Sequence, residues 1–231
     1  AMGAIAESDR RLGFHEENDE IRAYLEGKFR EEGKTDAIYH NRSRPPLAEV
    51  EAVSRVCLFA DDTDCPVHMF HLSSGSAAEA LRDWRQRGVD ATAETCPHYL
   101  WFTEDVVRDR GTVARVQPPL RTADEVERLW SVGIGDGAID CIATDHAPHT
   151  DEEKGLSGNP DIWAVAPGFP GLETAVPAML TFVADGRLSL ERWVSVHSTR
   201  PAKVWGMYPQ QWSLRAGSYA DFALLDADAV W

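Results

Sequence analysis

Asp145 ends a short apolar run, Cys141-Ile142-Ala143, and is followed at once by His146, His149 and the polar stretch 150–154. Two more apolar segments end in histidine. Arg11-Leu12-Gly13-Phe14 leads into His15, and Pro66-Val67-His68-Met69-Phe70 leads into His71. Such runs read as buried strands, and parallel α/β folds gather their chemistry at the carboxyl ends of their strands. Two imidazoles and one carboxylate on three separate strand ends suit a borderline divalent metal, with Zn, Mn, Fe or Ni preferred over Ca or Mg. A lone histidine is more often a hydrogen-bonded core or surface residue, and the chain has eight, so that bland reading stands beside the metal reading for His15 and His71. Asp145 is the stronger candidate, because a carboxylate at a buried strand end needs a partner to offset its desolvation.

The elements that would position these residues alternate in the βα manner. Residues 18–32 form a charged amphipathic pattern with Asn18 as cap and Gly33 as stop. Residues 46–59 predict a second helix, with Val50, Val53, Val56, Cys57 and Ala60 on one face. A strand over 67–72, a helix over 76–86 and a strand over 89–93 follow. Thr122 and Glu125 have capping-box spacing at the start of a helix reaching about residue 130. A strand over 139–143 carries Asp145, and helices are expected over 172–184 (despite Pro177), 189–196 and 201–206. Strands separated by helices with short links imply parallel pairing with right-handed crossovers. His68 is expected on the helical side of its strand, His40 and His98 in structural roles, and His197 as a cap or core residue. The irregular stretch 150–171, rich in Gly and Pro, is long enough to suggest an active-site loop.

Several segments, in order along the chain, resemble the cyclic amidohydrolase family of dihydropyrimidinases (hydantoinases), allantoinases and dihydroorotases. They are His15-Glu16-Glu17-Asn18, Thr35-Asp36-Ala37-Ile38-Tyr39-His40 with Ser43-Arg44-Pro45-Pro46 and Glu49-Val50-Glu51-Ala52, Phe70-His71-Leu72-Ser73, Glu94-Thr95-Cys96-Pro97-His98-Tyr99-Leu100, Gln117-Pro118-Pro119-Leu120-Arg121, and the stretch around Asp145. The tail Gly217-Ser218-Tyr219-Ala220-Asp221-Phe222-Ala223-Leu224-Leu225-Asp226 resembles the family's return into a small β-domain. The resemblance implies an α/β fold, part of a (β/α)8 TIM barrel, over residues 1–206, and a truncated small β-sandwich domain over 207–231. It implies a carboxyl-terminal portion of such an enzyme. The family's first-strand His-x-His pair has no counterpart ahead of His15, and none of Lys28, Lys34, Lys154 and Lys203 precedes His15 to serve as its metal-bridging carboxylated lysine.

The same resemblance implies hydrolysis of a small cyclic amide, a hydantoin or dihydropyrimidine, by a metal-bound hydroxide on a divalent metal, zinc foremost. His15 and His71 would serve one ion and Asp145 the other, with Asp145 also moving the proton. Gln117, His149, Pro167 and Gly168 would contact substrate. Gln117 stands where relatives place Ser or Asn. His149 leans towards dihydroorotase, Cys96-Pro97-His98-Tyr99 towards allantoinase, and the longer stretch 35–52 towards hydantoinase. A non-catalytic scaffold and an inactive fragment are the alternatives of other classes.

A net charge of −15 argues against nucleic acid and anionic membranes as partners. No apolar run approaches the roughly 20 residues that cross a bilayer, and the four cysteines form no CxxC pair. These features point to a cytoplasmic protein with reduced thiols. At 231 residues the chain falls short of the roughly 250 of a whole barrel. An open part-barrel exposes sheet edges, which favours a homo-oligomer.

Overall fold

A computed structural model describes residues 2–8, 10–156, 158 and 161–226. Four strands, β1 (Leu12–Phe14), β2 (Val67–Met69), β3 (Ala91–Thr95) and β4 (Cys141–Ile142), form one sheet in the order β1-β2-β3-β4. Every neighbouring pair is parallel, with Leu12 opposite Val67, Val67 opposite Ala91, and Glu94 opposite Cys141. Parallel strands adjacent in chain order require a crossover between each pair.

Helices supply those crossovers. After α1 (Met2–Ala6), the β1–β2 connection carries α2 (Asp19–Glu31), α3 (Ile38–Ser43) and α4 (Pro46–Thr63). The β2–β3 connection is α5 (Gly75–Gln86). The β3–β4 connection holds α6 (Pro97–Trp101), α7 (Asp105–Arg110) and α8 (Ala123–Arg128), the last continuing as a π-turn stretch over Leu129–Gly135. After β4 come α9 (Ala175–Ala184), α10 (Leu190–Val194) and α11 (Arg200–Val204). The sequence signals explain several boundaries. The Asn18 side chain accepts from the Ile21 amide at 2.9 Å, Ser74 caps α5 through the Ala77 amide, and Pro46 sits in the first turn of α4. Helix α9 starts at Ala175, three residues later than expected, which leaves Pro177 in its first turn, where a missing amide costs nothing.

One apolar core runs between sheet and helices, joining Val67, Met69, Ala91 and Ala93 to Val53, Cys57, Ala77 and Leu81. Strand alternation therefore turns His68, Thr92 and Glu94 to the opposite face. His68 is fully buried there, with Nδ1 2.7 Å from Thr92 Oγ1 and Nε2 3.2 Å from Glu94, under the Trp205 ring. This corrects its expected place on the helical side, since Val67 and Met69 occupy that side. Glu125 also departs from expectation. Instead of boxing the start of α8, its carboxylate accepts from the amide and hydroxyl of Ser76, at 2.9 and 2.6 Å, filling the bare first turn of α5. Residues 207–226 follow as turns and irregular chain without a strand. Residues 227–231, the close of the expected small β-domain, lie outside the described residues, as do Ser157, Asn159 and Pro160 of the loop after Asp145.

Candidate active site

The carboxyl ends of β1 and β2 bring two histidines together. His15, the residue after β1, and His71, just beyond β2, place Nδ1 and Nε2 3.0 Å apart, with ring planes inclined at 74°. The second nitrogen of His15, Nε2, lies 3.0 Å from a carboxylate oxygen of Glu17. Nε2 therefore donates to Glu17, so that in the neutral ring Nδ1 is the bare nitrogen facing His71. Burial by itself would raise the Glu17 carboxyl. The hydrogen bond from His15 and the Arg44 guanidinium, ion-paired with the same carboxylate, outweigh burial and hold it below its ordinary value. His71 is pushed below the usual imidazole range, first by burial and then by His15. Its Nδ1 is buried with no hydrogen-bond partner.

Asp145 follows β4, two strands from His71 in the sheet, half-buried and near enough for its carboxylate to act on His71, Cys96 and Tyr99. Asp145 and His71 share a backbone peculiarity, with φ of +43° and +36°. Non-glycine residues held in this region cost on the order of 1–3 kcal/mol each and persist only where their surroundings fix them. Among the described residues, no group of three or more His, Cys, Asp or Glu side chains is arranged to hold one metal ion. The two imidazoles are thus brought together, and Asp145, whose charge reaches His71, does not join them in a ready-made cage.

The stretch after Asp145 is pinned by histidines. His146 Nδ1 accepts from the amides of Gly171 and Leu172 at 2.9 and 3.2 Å. His149 Nε2 donates to the Pro167 carbonyl at 2.9 Å, and the Ala147 amide to the Phe169 carbonyl. Gly168, at φ +142°, lies so close that a Cβ there would meet Ala147 at 2.6 Å. Its amide reaches the Arg115 carbonyl at 2.9 Å. Pro167 and Gly168 therefore sit directly against the β4 end, and His149 spends one ring nitrogen on holding them. Gln117 is half-buried, its amide 3.4 Å from His40 Nε2.

Next to this loop an apolar cavity of about 350 Å³ is lined by Trp101, Phe102, Phe169, Thr144 and His98. Burial drives His98 down to about 3, so it is neutral at ordinary pH. His40 is likewise kept neutral, by burial and then by Arg44 and Arg115.

Sequence reasoning named His15, His71 and Asp145 but gave no role to the groups behind them. Glu17, Arg44, Glu49 and Arg121 form a buried polar network around the histidine pair. All four lie in the segments quoted for the family resemblance. Their pairing, across up to 77 residues, leaves no local signal.

No family model matches the chain. It is 36% identical over 218 residues to a D-hydantoinase of Rhizobium radiobacter, covering 93% of this chain and 48% of that protein. It is 40% identical over 187 residues to a dihydroorotase of Geobacter sp. (strain M21), covering 81% and 42%. It is 35% identical over 218 residues to an allantoinase of Solibacter usitatus, covering 94% and 47%. Among solved structures, the L-hydantoinase (dihydropyrimidinase) from Arthrobacter aurescens superposes with a TM-score of 0.90 at 35% identity, over 95% of this chain and 49% of that one. The chain spans about half the length of the curated relatives it matches. Its four parallel strands and outer helices are part of a (β/α)8 barrel.

Proposed function

We propose that this chain, a relative of the cyclic amidohydrolases over about half their length, carries one side of an active site and belongs to an enzyme that hydrolyses a cyclic amide. The observation that carries this is the His15–His71 pair at the ends of adjacent parallel strands, ring nitrogens 3.0 Å apart. Two nitrogens so spaced fit within reach of one ion, since each would stand about 2.0–2.1 Å from a zinc. The bare Nδ1 of His15 suits the part, because a ligating imidazole presents a lone pair while its other nitrogen donates to an outer partner. Glu17 is that partner.

His15 and His71 would hold a divalent ion, which when bound would supply Lewis-acid chemistry toward the amide carbonyl and the attacking water. The chain's own residues do the rest. Asp145 takes a proton on its carboxylate and returns it to the departing ring nitrogen. The reach of its charge to His71 supports this role. Pro167 and Gly168, fixed against the β4 end, offer backbone groups to the ring, and the Gln117 amide offers a donor and an acceptor. The remaining metal ligands come from outside the described residues, which themselves hold no group of three.

The substrate read here is a hydantoin or dihydropyrimidine, with allantoin and dihydroorotate as alternatives. The commitment of His149 to Pro167 supports the hydantoin side, because that ring nitrogen is not free for a substrate carboxylate. The intact enzyme should open hydantoin or dihydrouracil faster than allantoin or dihydroorotate, and lose the activity to a chelator. A preference for dihydroorotate that His149→Ala abolishes would move the assignment to that branch. Absence of both activity and metal in the intact protein would favour the non-catalytic scaffold.

A further inference from the structure

We propose that Arg121, with Glu49, is a positioning residue that sets the His15–His71 pair. The two histidines belong to separate strands, and each is held from behind by its own branch of contacts. On one branch, His15 Nε2 donates to Glu17, and Glu17 is ion-paired with Arg44. On the other, Glu49 collars the chain just after His71. Its carboxylate accepts from the Ser73 amide at 2.7 Å, the Ser74 amide at 3.0 Å and the Ser73 hydroxyl at 3.1 Å. That collar follows the strained backbone of His71 within two residues, with the Leu72 amide bound to the Glu94 carbonyl at 2.8 Å.

Arg121 joins the branches. Its guanidinium donates to the Arg44 carbonyl, to Ser73 Oγ at 2.9 Å and to Glu49 at 3.4 Å. The side chains of Arg121 and Glu49 are 4% and 0% exposed. Three acceptors from two chain segments demand a rigid fork of several donors, which arginine has and lysine lacks. Stability alone is a weak reason for such a pair, since buried ion pairs are often replaced by apolar residues without loss. What the fork adds here is register: it ties the backbone of Arg44, whose side chain holds Glu17 behind His15, to Ser73 and its Glu49 collar just after His71.

The proposed consequence for metal binding rests on the reading of His15 and His71 as ligands of one ion; the positioning itself does not, so the test has two arms. In the full chain without metal, ¹⁵N spectra of the imidazoles should show His15 as a single tautomer protonated at Nε2. Arg121→Met should convert the His15 and His71 signals to mixed or averaged tautomers. His197, stacked on Trp193, should not change. In the second arm, cobalt(II) titration should show Arg121→Met binding about 10–100-fold more weakly than the unsubstituted protein, with an altered visible spectrum, and Arg121→Lys restoring only part of the affinity. Unchanged imidazole signals in folded Arg121→Met would overturn the proposal. So would a wild-type His15 without the Nε2 proton. A wild-type protein that binds no cobalt while the first arm succeeds would defeat the metal reading and leave the positioning role standing. If Arg121→Met does not fold, Ser73→Ala, which removes one joint of the same fork, should shift the same signals; no shift there counts against the proposal equally.

Discussion

The β1–β2 end of the candidate site and the β4 end are held by different forces. Behind His15 and His71 lie buried charges, Glu17, Arg44, Glu49 and Arg121, which reach one another across 27 to 77 residues of chain. Beside Asp145 the supports are two histidines gripping an adjacent loop, largely through its backbone, within 18 to 26 residues and nearer the surface. A buried charge network is intolerant: removing one member strands the others without solvent. A pinned surface loop is graded, since each lost bond can be replaced by water. Substitutions at the first end should therefore unfold or misplace the site, and those at the second should loosen it.

The largest effect is expected from Glu49→Ala, which takes from Arg121 its ion-pair partner and leaves the Ser73 and Ser74 amides without their acceptor. Loss of one partner of a buried pair costs about 3–5 kcal/mol, and urea denaturation should show it. A loss under about 1 kcal/mol would mean that the network is not the stiff element described here.

Next comes acid sensitivity from His98, which sits between the two ends with its ring against Phe169. Burial lowers it from 6.5 to about 3 in the fold. The unfolded chain therefore binds the extra proton between those values, and stability falls as pH drops below about 6.5. For one such group, lowering the pH from 7 to 5 costs about 2 kcal/mol. His98→Gln should flatten this limb of the stability–pH curve, and an unchanged limb would assign it to other groups.

Gly168→Ala should follow. The new methyl meets Ala147 at 2.6 Å and the backbone has a positive φ, so about 1–3 kcal/mol of strain is expected. It should appear as faster amide exchange over 165–172, with little change around Ser73. The smallest effect belongs to His146→Ala, which strips the acceptor from two amides at an exposed position and should cost about 1 kcal/mol. Exchange should quicken at Gly171 and Leu172 alone. Exchange that spreads to His71 in either variant would erase the distinction between the ends.

The repeating elements were legible because each carries a local signal: Asn18 and Ser74 as caps, Pro46 at a helix start, and apolar runs ending in His15, His71 and Asp145. Strand edges shifted by two residues or so, as with β3 at Ala91–Thr95, because pairing fixes them and pairing is not local. Glu125 had a fitting spacing for its own helix, but an orphan amide on α5 won its carboxylate. His68 was misplaced because alternation gives two faces without saying which one the helices cover. The facing of His15 and His71 followed from their shared strand-end position. The fork of Arg121 did not, since its three acceptors come from Arg44, Glu49 and Ser73, 48 to 77 residues away.

The most direct test of the central claim is a crystal structure of the protein soaked in zinc, with anomalous data on both sides of the zinc edge. The account predicts an anomalous peak bonded to His15 Nδ1 and His71 Nε2, with Glu17 still on the far nitrogen of His15. A map with no peak between the two imidazoles, or with zinc bound only elsewhere, would contradict it.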